Sequence, residues 1–286
     1  MFQPERCFLF DNGSLRPAAT LSLRSVADRL QRRIECPVTP VSLLHSNAVS
    51  PGDLNGRPAE LLEPALKAAL AQGIRSVVLV PLFFGPSNAI ADYLPRRLRT
   101  LTALYPEASI SLARCIVDTA SFDDRRIAGL IAQRVRSTFK SGLVNTQARV
   151  ILVDHGSPQP EVTAVRDHLG QQLADLMAGE IHGVHVASME RRPGPRFAFN
   201  DPLLIDRLTT PPCNSGDVIL ALQFFSSGRH AGPDGDIAAI CDEAQRRCPA
   251  LSIRVTEPLG DGEALINVLA DRFHEMCQAP TPPRAA

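Results

Sequence analysis

The chain has 286 residues, 44% apolar and 21% charged, and its 30 basic and 30 acidic side chains cancel. A zero balance excludes the broad basic footprint of a nucleic-acid binder, and the longest apolar run, SVVLVPLFF, is about half a membrane span and contains Pro81. Seven scattered cysteines without a C-x-x-C pair argue for reduced thiols, and MFQPERCFLF lacks the layout of a secretory signal, so a cytoplasmic monomer or homodimer is expected, with no nucleic-acid or membrane partner. In chain order, four β-branched apolar runs predict strands in the first half: CFLF (7–10), PVSLL (40–44), SVVLVPLFF (76–84) and ISLARCI (109–115). Four more follow in the second: RVILV (149–153), GVHVASM (183–189), DVILALQFF (217–225) and LSIRV (251–255). Segments such as LRSVADRLQRRI, LLEPALKAALAQG, VRDHLGQQLADLM and DIAAICDEAQRRC lie between them, with apolar residues at helical spacing.

Continuous apolar strands alternating with amphipathic helices imply parallel sheets covered on both faces. The two halves repeat one plan, so the expected architecture is α/β. It has two similar lobes, each a four-stranded parallel sheet flanked by helices, with a cleft between them. The lobes are expected at 1–143 and 147–277, with the polar stretch KSGLVNTQA (140–148) as linker and a Pro-rich, disordered tail at 278–286. Ligands of such sheets bind beyond the carboxyl ends of the strands.

Three titratable residues fall at those ends in the second half. His155 follows the first strand in ILVDHGSPQP, Glu190 the second in VASMERRPGP, and His230 the third in LALQFFSSGRHAGPDGDI. Gly156 permits a sharp turn, and Ser157-Pro158 reads as an N-cap followed by a first-turn proline. One histidine after a strand is commonly a hydrogen-bonded structural residue. Two histidines and a carboxylate on three strand ends suit a borderline divalent metal, and equally a general base beside one. The first half holds FLFDNGS, with Asn12 in place of His155, and VPLFFGPSNAIADYLP, with Asn88 in place of His230; the position of Glu190 falls near His45. Asparagine neither exchanges protons near neutral pH nor binds these metals well. Asp11/Asp154, Gly13/Gly156 and Ser14/Ser157 persist in both copies and read as scaffold.

The ordered set ILVDHGS, VASMERRPGP and FFSSGRHAGPDGDI resembles the class II tetrapyrrole chelatases, the sirohydrochlorin cobalto- and ferrochelatases of the CbiX/SirB type, over essentially the whole chain. The family pattern puts the histidine pair of long members in the first lobe, whereas here it lies in the second. His230 and Asp236 are also two residues further apart than Asn88 and Asp92. The resemblance implies insertion of a divalent metal (Co, Fe or Ni) into a sirohydrochlorin-type ring with release of two protons. It implies His155 and His230 as metal ligands, Glu190 as acid/base partner or third ligand, and no tightly bound cofactor, the metal being a substrate. Arg191, Arg192, Arg196 and Arg229 flank these positions and could pair with the macrocycle's carboxylates. A non-catalytic metal or tetrapyrrole carrier on the same fold is the alternative. His182 and His185 are expected on opposite faces of a strand, His168 and His274 on helix surfaces, and no P-loop, dinucleotide loop or G-x-S-x-G elbow is present.

Overall fold

The computed structural model describes residues 3–139 and 147–278 and contains all eight expected strands. β1 (Arg6–Asp11), β2 (Val38–Ser42), β3 (Ser76–Pro81) and β4 (Ser109–Leu112) pair in the order β2-β1-β3-β4. β5 (Arg149–Asp154), β6 (Gly183–Ser188), β7 (Gly216–Leu222) and β8 (Leu251–Val255) pair as β6-β5-β7-β8. Every pairing is parallel. The central strands β1 and β5 are buried on both faces, which is why they read as unbroken apolar runs rather than alternating ones. Several strands stop short of their apolar runs, at Ser42, Pro81 and Leu222, although Leu43 and Leu82 beyond them are still buried. Burial continues past the last ladder bond, so hydrophobicity overstates strand length.

Helix α1 (Pro17–Ile34) buries the stripe Leu23, Val26, Ala27, Leu30 and Ile34, and α5 (Pro160–Leu176) occupies the same place in the second sheet's sequence. Neither starts on a side-chain cap; each has a proline in its first turn, Pro17 and Pro160. The expected cap at Ser157 is therefore corrected. Its hydroxyl accepts from the Gln159 amide at 3.0 Å, a local turn, and the helix begins only at Pro160. Ser14 does the same for Arg16 at 3.1 Å before α1.

The chain divides into two compact units, but not at the polar stretch. One unit comprises β1–β4 with residues 266–278, the other residues 117–265. Besides α2 (Leu62–Ala71) and α3 (Leu94–Leu104), the first unit therefore holds most of α8 (Glu263–Gln278), and Arg272 of α8 donates to Cys115 O at 3.0 Å and Ile116 O at 3.1 Å. The second unit holds α4 (Arg126–Phe139), packed on α5, with the short α6 (Leu204–Thr209) and α7 (Asp236–Arg247). The expected lobes, 1–143 and 147–277, follow the sequence repeat and its polar junction, whereas packing groups two helices across that junction. α4 buries Ile127, Leu130, Ile131 and Val135 in the unit that follows it in sequence. Residues 140–146 of the expected linker and 279–286 of the expected tail lie outside the described residues. Among the described residues no helix is long and apolar enough to cross a membrane.

Candidate active site

In the second unit β5 and β7 are neighbours, with the chain reversing direction of build between them, so their carboxyl ends form the crevice where parallel sheets take ligands. His155 directly follows β5, His230 sits beyond β7, and Glu190 lies just past β6. The structure brings these three together in pairs. The rings of His155 and His230 meet edge-to-face with centroids 4.6 Å apart, and His155 Nε2 lies 3.5 Å from Glu190 Oε1. All three remain accessible: the His155 and Glu190 side chains are 45% and 63% exposed, that of His230 30%. Among the described residues no group of three or more His, Cys, Asp or Glu side chains is drawn tightly enough to hold a metal ion, so the three form an open arrangement.

Both imidazoles are anchored through Nδ1. That of His155 lies 3.0 Å from the Gly156 carbonyl oxygen, and that of His230 lies 2.6 Å from Asp236 Oδ2. A carbonyl or carboxylate partner requires Nδ1–H as donor, which in a neutral ring puts the lone pair on Nε2, where it can serve as ligand or base. The Asp236 contact survives the longer loop because the loop folds back on itself: the Ile237 amide donates to His230 O at 3.1 Å, and the Gly232 amide to Gly228 O at 3.1 Å. Asp236 thus orients His230 from the first residue of α7.

Backbone bonds hold His155 to Glu190. The Met189 amide donates to Asp154 O at 2.8 Å and the Glu190 amide to His155 O at 3.1 Å. Gly156 sits at φ +90°, and a Cβ there would lie 1.9 Å from Glu190 O, so only glycine lets the turns approach this closely. Below the turn, Ser188 donates to Asp154 Oδ1 at 2.7 Å. Burial pushes the Asp154 carboxyl up, opposed by that Ser188 bond and then by the charges of Arg166 and His155.

The first unit reproduces the frame. The Leu43 amide donates to Asp11 O at 2.9 Å, the Leu44 amide to Asn12 O at 3.1 Å, and Gly13 at φ +93° packs against Leu44 O. The counterpart of Glu190 is therefore Leu44, which is 41% exposed, and not His45 as the sequence suggested. His45, at φ 65°, begins the next turn and corresponds to Arg191. Strand pairing sets this register: Asp154 pairs with Ser188 and Asp11 with Ser42, so the repeat offset grows from 143 residues at His155/Asn12 to 146 at Ser188/Ser42, and Glu190 maps to Leu44.

Asp11 shows what the shared aspartate costs without cationic support. Its Oδ1 is shut off from solvent with no hydrogen-bond partner, and burial pushes its carboxyl up to about 6, against hydrogen bonds from Ser42 and the Gly13 amide. The folded value lies above the unfolded one, so the folded chain binds the extra proton between them. The penalty is absent below the unfolded value near 4, grows as pH rises, and is complete above about 6. Asp11→Asn is expected to stabilise the protein by about 2 kcal/mol at pH near 8 and by little at pH near 4. Denaturant unfolding at both pH values checks this, and an equal gain at both would refute it.

The flanking arginines are not equivalent. Arg191 is held by Asp201 Oδ1 at 2.7 Å and by the Gly194 carbonyl at 3.2 Å, and Arg196 lies over the Phe197 ring at 4.6 Å. Arg229 is exposed, its Nε 3.7 Å from Asp236 Oδ2, and Arg192 is exposed with no ion pair among the described residues. Sequence reasoning overlooked Arg166, Asn200 and the contact between Asp236 and His230. Arg166 was visible as an anomaly, an arginine on the α5 stripe Arg166, Leu169, Gly170, Leu173 that faces the core.

Paired parallel sheets of this topology, one with imidazoles at its strand ends, define a two-lobed chelatase-like α/β protein. The chain belongs to the CbiX family, whose model matches residues 6–138 and 149–276, once in each half. Membership supports tetrapyrrole metal chelation as the general activity and makes the chain an enzyme of the chelatase type. Among solved structures, SirB from Bacillus subtilis with Fe3+ is similar with a TM-score of 0.68 at 16% identity, covering 96% of both chains. CbiX, the terminal enzyme for biosynthesis of siroheme in denitrifying bacteria, has a TM-score of 0.57 at 14% identity, covering 95% of this chain and 98% of the other. DR2241 from Deinococcus radiodurans, a multi-domain protein with structural similarity to chelatases, has a TM-score of 0.62 at 19% identity, over 94% of this chain and 55% of that one. At these identities the likeness is one of fold. No curated protein matches the chain.

Proposed function

We propose that this protein inserts a divalent metal ion, Co, Fe or Ni, into a sirohydrochlorin-type tetrapyrrole. The carrying observation is that the His155 and His230 rings stand 4.6 Å apart with both Nδ1 atoms anchored, by Gly156 O and Asp236, and that His155 Nε2 lies 3.5 Å from Glu190 Oε1. Neutral imidazoles suit these metals, and their moderate number leaves positions open for transfer of the ion to the ring nitrogens. The reaction balances as one metal dication and one ring bearing two N–H groups giving the metallated ring and two protons. Glu190 and an imidazole released by the departing metal are the acceptors, and all three are exposed enough to pass protons to water. The metal is a substrate, and no resident cofactor is required.

The test is incubation with metal-free sirohydrochlorin and Co(II), Fe(II) or Ni(II), followed through the visible spectrum. Many turnovers per protein support insertion. Stoichiometric binding with no rate above the uncatalysed reaction would make the protein a metal or tetrapyrrole carrier instead. Competition among the three metals then ranks them.

Sirohydrochlorin-type rings carry several carboxylates, and the exposed guanidinium groups of Arg192 and Arg229 are the available partners. Arg192→Ala and Arg229→Ala are each expected to raise KM for the macrocycle about 3- to 10-fold at low salt, and less at high salt. Arg191→Ala is expected to change KM less, because its guanidinium is already committed to Asp201. Steady-state kinetics at two ionic strengths distinguish these outcomes; a larger effect at Arg191 would reverse the assignment.

A further inference from the structure

Beneath the His155 turn lies a polar cluster that the chemistry above does not use. Arg166, on α5, is only 2% exposed, one of the largest fully buried side chains in the protein. Its Nη1 donates to Ser188 Oγ at 2.7 Å and to Asn200 O at 2.8 Å, while Nε and Nη2 donate to Asp167 Oδ1 at 2.9 and 2.8 Å. Ser188 relays the contact to Asp154 Oδ1 at 2.7 Å. Asn200, fully buried, clasps the turn after His155: its Oδ1 accepts from the Ser157 amide at 2.9 Å and its Nδ2 donates to Ser157 O at 2.9 Å. Thr163 of α5 donates to the same Oδ1 at 3.1 Å. One guanidinium therefore ties together the segments that carry His155 and Glu190.

The internal repeat supplies the control. α1 and α5 start 143 residues apart, so Arg166 corresponds to Leu23, also 2% exposed, and Thr163 to Thr20. With leucine there, the first unit joins its turns by hydroxyls and no guanidinium: Ser46 catches the Ser14 amide at 3.1 Å and donates to Ser42 Oγ at 2.9 Å, while Thr20 Oγ1 and Asp11 Oδ1 are buried without hydrogen-bond partners among the described residues. Burying an arginine is costly unless every donor is used, and a repeat that tolerates leucine shows that the fold does not demand one. The arginine stands in the unit that has the histidines and Glu190, and leucine in the unit that has neither.

We infer that Arg166 is a positioning residue for the His155–Glu190 pair. It acts through Ser188, Asp154 and Asn200 to hold the two strand-end turns in register. This rests on the reading that the pair does chemistry, and the experiment separates the two. In the full-length chain, Arg166→Leu installs the first unit's residue, Ser188→Ala removes the relay should that variant fold poorly, and Arg166→Lys tests rescue. Two readouts are taken on folded protein: steady-state kinetics, and hydrogen exchange of the Met189 and Glu190 amides, which bond to Asp154 O and His155 O.

The expected result for Arg166→Leu is a kcat lower by about 10-fold or more with KM for the macrocycle within about twofold. Exchange at Met189 and Glu190 should quicken by about 10-fold or more, while the Thr256 amide, bonded to Leu220 O, is unchanged. Ser188→Ala should show the same pattern more weakly, and Arg166→Lys should recover part of it. Wild-type kcat and exchange in folded Arg166→Leu or Ser188→Ala would overturn the inference, as would uniform acceleration of all amides, the mark of general destabilisation. If the wild-type protein does not turn over, the proposed reaction fails; the exchange data still decide whether Arg166 fixes these turns.

Discussion

Replacing His155 or His230 by alanine is expected to lower the rate of metal insertion by about 100-fold or more, whereas Asn12→Ala and Asn88→Ala are expected to leave it within about threefold. The contrast follows from what each side chain offers. The two imidazole rings lie 4.6 Å apart between centroids, with His155 Nε2 3.5 Å from Glu190 Oε1, and each removal deletes a ligand atom and a base together. The asparagines occupy the matching strand ends, where Asn12 O accepts from the Leu44 amide as His155 O does from that of Glu190, and a side-chain amide neither takes up a proton near neutral pH nor binds these metals well. Because Leu44 stands where Glu190 does, the double change Asn12→His and Asn88→His is not expected to create a second site. Spectroscopic turnover assays on the four alanine variants, with circular dichroism as the folding control, check the division. If the asparagine variants lost activity as thoroughly as the histidine ones, the chemistry would have to be shared between the units.

Much of this was legible in the sequence because it depends on local pattern. The β-branched runs and the three-to-four spacing of the helices are consequences of burial, and the repeated D-x-G-S turn is short enough to align by eye. What depends on chain length between anchors was not legible. The motifs place Glu190 only near His45; that Leu44 is its counterpart follows from the pairing of Asp154 with Ser188 and Asp11 with Ser42, which sets the register. Packing between distant segments was likewise hidden. The grouping of α4 with the second sheet and of most of α8 with the first follows from which apolar faces fit, which sequence order does not encode. The bond between His230 and Asp236 was obscured by the two extra residues separating them, because a loop's length does not say how it folds back.

Gly156→Ala is expected to cost about 3–5 kcal/mol of stability. Two effects add. A left-handed φ of +90° is strained for any residue with a Cβ, and that Cβ would lie 1.9 Å from the Glu190 carbonyl oxygen, far inside van der Waals contact. Relief requires the β5 and β6 turns to separate, which breaks the bond from the Glu190 amide to His155 O and moves both side chains of the pair. Gly13→Ala is the matched control: its φ is +93° and its Cβ would lie 1.7 Å from Leu44 O, so a comparable loss of stability is expected. There, however, the displaced residues are Asn12 and Leu44. Measured per folded molecule, Gly13→Ala should retain most of its turnover and Gly156→Ala should lose about 10-fold or more. Denaturant titration gives the first quantity and kinetics corrected for folded fraction the second. Equal losses of turnover would mean that the two turns serve the reaction alike. A loss confined to Gly156→Ala would show that the same close approach of two strand ends is structural in one unit and also sets the distance from His155 to Glu190 in the other.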